Sequence, residues 1–198
     1  MTRVVVPIIG TIFLIMFPIV CKSAAKVQTN GIAICSVIIY EMTEGKVSLK
    51  SAKEMATAIA NAGNKHFGKI TVGDMWLFMS IVFVESGFRN NIINRQNCRG
   101  MFQIHAPSWA SKFGVRHSDL LNLQINADCG VKIFKYYLSI YRSIIPALSA
   151  YNSDHPSAAK RYAWMVLSVR NRIKNRYRQI YRLYHDAPVL VAAQSPTK

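Results

Sequence analysis

A helix that is apolar on almost every side leaves a chain few ways to fold, and residues 71–87 encode one. Thr71 and Asp74 have the spacing of a capping box, which predicts a helix start. Met75-Trp76-Leu77-Phe78-Met79-Ser80-Ile81-Val82-Phe83-Val84 follows, so the helix must be buried rather than laid on a surface. Gly87 is placed to end it. Glu85 then stands as an acid at the close of an apolar helix. That position desolvates a carboxylate and sets it at the negative end of the helix dipole. Both effects raise its pKa. A residue that breaks local rules this plainly is a candidate for function. The competing expectation is a buried glutamate paired with Arg89 or Arg99.

A chain of 198 residues has room for one domain with extensions. Lys and Arg number 25 against 9 Asp and Glu, a formal net charge of +16. So basic a balance points to an anionic partner: nucleic acid, an anionic membrane or a negatively charged cell wall. There is no internal repeat. The five His are scattered and the four Cys form no C-x-x-C, so no metal site and no cofactor is implied.

Arg3 precedes an uncharged run from Val4 to Cys21, followed by Lys22-Ser23-Ala24-Ala25-Lys26. This is a secretory signal pattern over residues 1–25, with a cut after Ala25. The alternative is a retained membrane anchor through residues 4–21. Val20 before Cys21 is not the small residue that a lipoprotein signal needs. Either way the body is expected outside the cytoplasm, in the periplasm or cell envelope, or in the virion if the chain belongs to a phage. No nucleic-acid partner is then expected. Export permits disulfides. Cleavage leaves Cys35, Cys98 and Cys129, an odd number. A Cys98–Cys129 bridge is the favoured pairing, and three free thiols the alternative.

Residues 26–69 read as a packing segment. Gly31 to Tyr40 is a short apolar run that periodicity assigns to neither helix nor strand. Ser51 and Glu54 have capping-box spacing and predict a helix through about Asn61, closed by Asn61-Ala62-Gly63-Asn64. Lys65, His66 and Lys69 are expected in a solvated loop.

At Glu85-Ser86, Gly100-Met101-Phe102-Gln103 and Ala150-Tyr151-Asn152 the chain resembles the family 1 lytic transglycosylases. These are the soluble-lytic-transglycosylase catalytic domains, related to goose-type lysozyme. The family's motifs run E-S, G-L-M-Q and A-Y-N-x-G in that order. Residues 119–137 resemble the helix between the last two motifs, with Asn126 and Gly130 in the expected places. The match spans residues 70–155. Each motif alone is weak; three in order behind a buried helix are a strong signal. The resemblance implies a mainly α, lysozyme-like domain acting on peptidoglycan. It implies cleavage of the β-1,4 bond between N-acetylmuramic acid and N-acetylglucosamine, leaving 1,6-anhydromuramoyl ends. By resemblance, Tyr151 hydrogen-bonds the Glu85 carboxyl. Gln103 and Asn152 bind sugar amides or hydroxyls. Met101 and Phe102 line the cleft, or simply pack in the core. Ser86 belongs to the site as a support for the turn after the helix. Asn94 stands where the family often has a substrate-binding Ser. Asn97-Cys98 replaces a small Gly-Ala pair, and Asp154 replaces the last Gly of A-Y-N-x-G.

Ordinary glycosidases need two carboxylates facing the scissile bond. Downstream of Glu85 the acids are Asp119, Asp128, Asp154 and Asp186. Asp119 and Asp128 flank a helix start, which leaves Asp154 as the one rival second carboxylate. With a single acid, Glu85 must start protonated and act first as acid, then as base. A lysozyme-type muramidase, or a non-catalytic basic protein binding wall or membrane, are the alternative functions.

Pro156-Ser157 can open a helix to about His185, with an apolar stripe of Val166, Val169, Ile173, Tyr177, Ile180 and Tyr184. No Asp or Glu lies between Lys160 and His185. The basic helix at residues 160–182 is expected to meet an anionic membrane or wall polymers, or to be a solvated face over the core. Residues 156–185 thus form a basic amphipathic helix packed on the core, its first part around Tyr162 to Leu167 against the catalytic core, and residues 186–198 a flexible tail.

Overall fold

The computed structural model describes residues 31–153 and 156–193. The signal or anchor at residues 1–25 and the rival acid Asp154 lie outside the described residues. The molecule is mainly α-helical and lysozyme-like.

Helix α1 (Gly31–Met42) settles the ambiguous first run. Its buried apolar residues are Ile34, Cys35, Ile38 and Ile39. That spacing gathers them on one face of a helix and would split them across a strand. Helix α2 (Leu49–Phe67) is longer at both ends than its sequence signals suggest. Ser48 is the N-cap and accepts from Ser51 N–H at 3.1 Å. Ser51 therefore sits in the first turn instead of capping it. Gly63 lies inside the helix. A Cβ there would meet Ile70 Cδ1 at 2.6 Å and Phe78 at 3.3 Å, so the glycine serves close packing, not termination. Lys65 Nζ and His66 Nε2 are not simply solvated; they lie 3.0 and 2.8 Å from the Asp128 carboxylate.

Helix α3 (Val72–Ser86) forms as its caps dictate. Asp74 N–H donates to Thr71 Oγ1 at 3.3 Å, and Thr71 N–H donates to Asp74 at 2.8 Å. Gly87 closes the helix in the left-handed region at φ 60°. Met75, Leu77, Phe78, Met79, Ile81 and Val82 are all buried. A two-stranded antiparallel ribbon follows, β1 (Cys98–Arg99) with β2 (Ile104–His105). Then come the short α4 (Ala106–Trp109), two 3₁₀ turns, α5 (Leu123–Tyr141), α6 (Ile144–Asn152) and α7 (Pro156–Ala193). Helix α5 packs on α2 and α6, while α7 packs on α6, α3 and α1. Phe78 of α3 meets Phe134 of α5 edge-on, with centroids 6.0 Å apart. Trp76 meets Tyr177 of α7 at 5.5 Å. The central helix is thus enclosed from both sides.

Asn126, fully buried on α5, ties the ribbon to the helices. Its Oδ1 accepts from Phe102 N–H at 2.8 Å. Its Nδ2 donates to the carbonyls of Arg99 at 2.9 Å and Leu120 at 2.7 Å. Gly100 must be glycine: it has φ +72°, and a Cβ would meet Asn126 Nδ2 at 2.2 Å.

Two expectations need correction. Cys98 and Cys129 are not bridged; Cys35, Cys98 and Cys129 are all free thiols. Cys129 faces the core from α5 whereas Cys98 lies on the ribbon beside the pocket, and burial pushes the Cys129 thiol up to about 11. The C-terminal helix runs past His185 to Ala193, taking in the first part of the expected tail. The apolar stripe packs on the core, with Val166, Val169, Ile173, Tyr177 and Ile180 buried.

Gly130 offers a test of the α5–ribbon packing. A Cβ there would lie 2.3 Å from Phe102 Cγ. Gly130→Ala should destabilise the fold by about 1–3 kcal/mol, measured as a lower urea midpoint.

Candidate active site

The end of α3 brings Glu85 to the wall of a pocket. The helix supplies apolar surroundings on most sides, and burial pushes the carboxyl up to about 7 from its ordinary 4.5. One interaction opposes that rise: Tyr162 Oη, from α7, donates to Glu85 Oε1 at 2.6 Å. Neither nearby arginine pairs with the acid. Arg89 Nε donates to Ser86 O at 2.8 Å and Arg99 Nε to Asn97 Oδ1 at 2.7 Å. Among the described residues Glu85 has no ion pair, so the expected structural role is not the one observed.

Around Glu85 the pocket collects Asn94, Gln103, Tyr151 and Asn152, all foreseen from the motifs. It also collects Gln96, Cys98, Ile104, His105, Trp109 and Ile133, which the motifs did not point to. Asn94 Oδ1 accepts from the backbone N–H groups of Gln96 and Cys98, both at 2.9 Å, and so shapes the loop before β1. Gln103 holds φ 46°, a strained value for a residue with a side chain. Its amide donates to Gly100 O at 2.9 Å, which closes the turn of the ribbon and keeps Gln103 at the pocket. His105 is anchored through Nδ1 to Ser108 Oγ at 2.7 Å. Trp109 stacks on Phe113 with centroids 5.5 Å apart.

Several expected roles are reassigned. Tyr151 does not bond Glu85; its hydroxyl donates to Phe102 O at 3.0 Å. That bond braces the ribbon turn against α6. Met101 and Phe102 are fully buried and belong to the core, so no sugar can stack on Phe102. The turn that carries them points inward because Asn126 holds its backbone. Ser86 is 2 % exposed and donates to Val82 O at 3.1 Å, so it supports the helix end and does not reach the pocket. The acids at 119 and 128 are committed elsewhere. Asp119 Oδ1 lies 2.8 Å from Arg116 Nη2, and Asp128 takes Lys65 and His66. Glu85 is the sole acid among the described residues that line the pocket.

Tyr162 was the residue that sequence reasoning missed. It heads the stripe continued by Val166 and Val169, a position that periodicity alone assigns to core packing. A signal existed: a buried phenol needs a partner for its hydroxyl, and few buried polar groups could supply one. Burial and the neighbouring Glu85 charge hold the phenols of both Tyr162 and Tyr151 well above their usual range. Both therefore stay protonated and act as donors at neutral pH.

A helical fold with one enclosed acid on a pocket of amides and aromatic rings belongs to the lysozyme-like class. Residues 69–163 match the family model described as the transglycosylase SLT domain, as expected of a lytic transglycosylase catalytic domain. The family is one of peptidoglycan-cleaving domains of the lytic transglycosylase type. No curated protein and no solved structure matched the chain.

Two measurements probe the electrostatics. Tyr162→Phe removes the one donor that lowers the Glu85 pKa. In an NMR carboxyl titration its midpoint should move above the wild-type value near 7. Stability is linked in a defined sense. The folded carboxyl keeps its proton to about 7, whereas the unfolded one releases it near 4.5. The folded state binds more protons in that window, so stability falls as pH rises from about 4.5 to 7 and stays lower above it. Glu85→Gln should therefore melt higher than wild type at pH 8, by about 1–3 kcal/mol, with the gap closing toward pH 4.

Proposed function

We propose that this chain cleaves the MurNAc–GlcNAc β-1,4 bond of peptidoglycan and leaves 1,6-anhydromuramoyl ends, with Glu85 as sole acid and base. The observation that carries this reading is that Glu85 is the one carboxyl on the pocket among the described residues, with burial raising its pKa to about 7. A pKa near 7 leaves a large protonated fraction at neutral pH. That proton passes from Glu85 to the glycosidic oxygen as the bond breaks. An oxocarbenium-like centre forms, and the substrate's own N-acetyl carbonyl stabilises it in place of a second protein carboxylate. The Glu85 carboxylate then takes the proton from the muramoyl C6 hydroxyl. The C6 oxygen closes on the anomeric carbon, an intramolecular attack with a large effective concentration.

Tyr162 holds the carboxyl in place and donates to it as its charge develops. The amides of Asn94, Gln103 and Asn152 are suited to N-acetyl and hydroxyl groups, and Trp109 offers an apolar wall. Tyr151 acts indirectly, by fixing the ribbon. A signal or anchor at residues 1–25 would suit this substrate, since either would deliver the body to the cell envelope.

Glu85→Gln should lower lysis of purified sacculi by about 10²–10⁴-fold or more while sacculus binding persists. Wild-type lysis should fall as pH rises through about 7, because the acid loses its proton. Mass spectrometry of the released muropeptides decides the reaction type. Anhydro products support the transglycosylase. Products carrying an added water would make the chain a muramidase, and unchanged lysis by Glu85→Gln would remove Glu85 from the chemistry.

A further inference from the structure

The strongest feature that the pocket chemistry leaves unused is the outward face of α7. We propose that this face docks on an anionic lipid bilayer. The helix divides cleanly. Tyr162, Val166, Val169, Ile173, Tyr177 and Ile180 turn inward and are buried. At about 100° per residue, Arg161, Trp164, Met165, Arg172, Arg182 and Leu183 fall together on one sector outside that stripe, where the Arg172 guanidinium also lies 5.9 Å over the Phe83 ring of α3. All six are exposed, Trp164 by 60 %. The face runs roughly 30 Å from Arg161 to Arg182.

Its charge is unneutralised. No Asp or Glu occurs between Lys160 and His185, and among the described residues Arg161, Arg172 and Arg182 form no ion pair. The neighbouring Arg176 does: it is held 2.5 Å from Glu41 of α1. That pair shows what a structural arginine on this helix looks like. The arginines of the outer face have no such acid.

Charge alone would fit a wall polymer as well as a lipid surface. The exposed Trp164, Met165 and Leu183 among the cations separate the two. A solvated polyanion has nowhere to receive a bare indole, whereas a bilayer interface takes Trp beside Arg at headgroup depth. The apolar stripe stays in the core, so docking is electrostatic, with shallow apolar contacts at both ends of the face. It needs no unfolding of α7. The proposal is independent of the cleavage chemistry, and its test does not read activity.

The full chain is mixed with vesicles of phosphatidylcholine alone, or of phosphatidylcholine with phosphatidylglycerol, and recovered by flotation. Wild type should bind the anionic vesicles more strongly than the neutral ones, and high salt should remove the excess. The triple variant Arg161→Gln, Arg172→Gln, Arg182→Gln should bind roughly a hundredfold more weakly, about fivefold per cation. Trp164→Ser should lose several-fold with its charge intact. A matched triple, Lys50→Gln, Lys53→Gln, Lys69→Gln, changes exposed cations on or beside α2 and should bind nearly as wild type. All variants keep the apolar run at residues 4–21, so differences among them report the face itself. Equal losses in the two triples would overturn the proposal in favour of net charge. So would an excess on anionic vesicles that high salt leaves unchanged. Undiminished vesicle binding by the arginine triple, with loss confined to purified anionic wall polymer, would also overturn it.

Discussion

The contact between Tyr162 and Glu85 is the interaction on which the rest depends. A carboxyl at the end of an apolar helix has a high pKa by burial alone, but a high pKa without orientation is only an instability. The phenol of α7 supplies the orientation from outside the helix. It can do so only because the inward stripe of α7 is sealed against α3 and α6. The packing of a long peripheral helix and the protonation of one acid are therefore a single problem. A loosened α7 would expose Glu85 to water, lower its pKa and remove its partner together.

The opposite wall of the pocket is built on backbone. Gly100 allows the ribbon to turn against Asn126, Asn126 satisfies three main-chain groups, and Gly130 lets Phe102 lie on α5. Each element has little tolerance for added atoms. The result is a short turn whose apolar residues point into the core while Gln103 stays at the pocket. The strained φ of Gln103 is held by the same network. A buried asparagine satisfied on both sides of its amide is costly to replace, since any substitution orphans several buried groups.

Reading this architecture from residues alone succeeded where the physics is local. The capping box at Thr71 and Asp74, the left-handed Gly87 and the all-round apolarity of α3 depend on near neighbours, and each formed as expected. Reading failed where two local signals competed. Ser48 and Ser51 both qualify as caps for α2, and only the packing of that helix selects Ser48. Gly63 looks like a terminator until α3 is brought against it. Cys98 and Cys129 look pairable until one is seen on the ribbon and the other in the core.

By itself, the sequence determined that one helix would be buried and that its last turn would carry an acid under pressure to keep its proton. It also determined which motifs would meet that acid, and that α7 would have an apolar side and a cationic side. Only the tertiary structure decided which tyrosine holds Glu85, that Met101 and Phe102 serve the core, and that the α7 stripe faces inward, leaving its arginines outside. The physical reason is range. Capping, dipole and periodicity act within a few residues, whereas a hydrogen bond such as Tyr162 to Glu85 joins elements far apart in the chain and exists only once they pack.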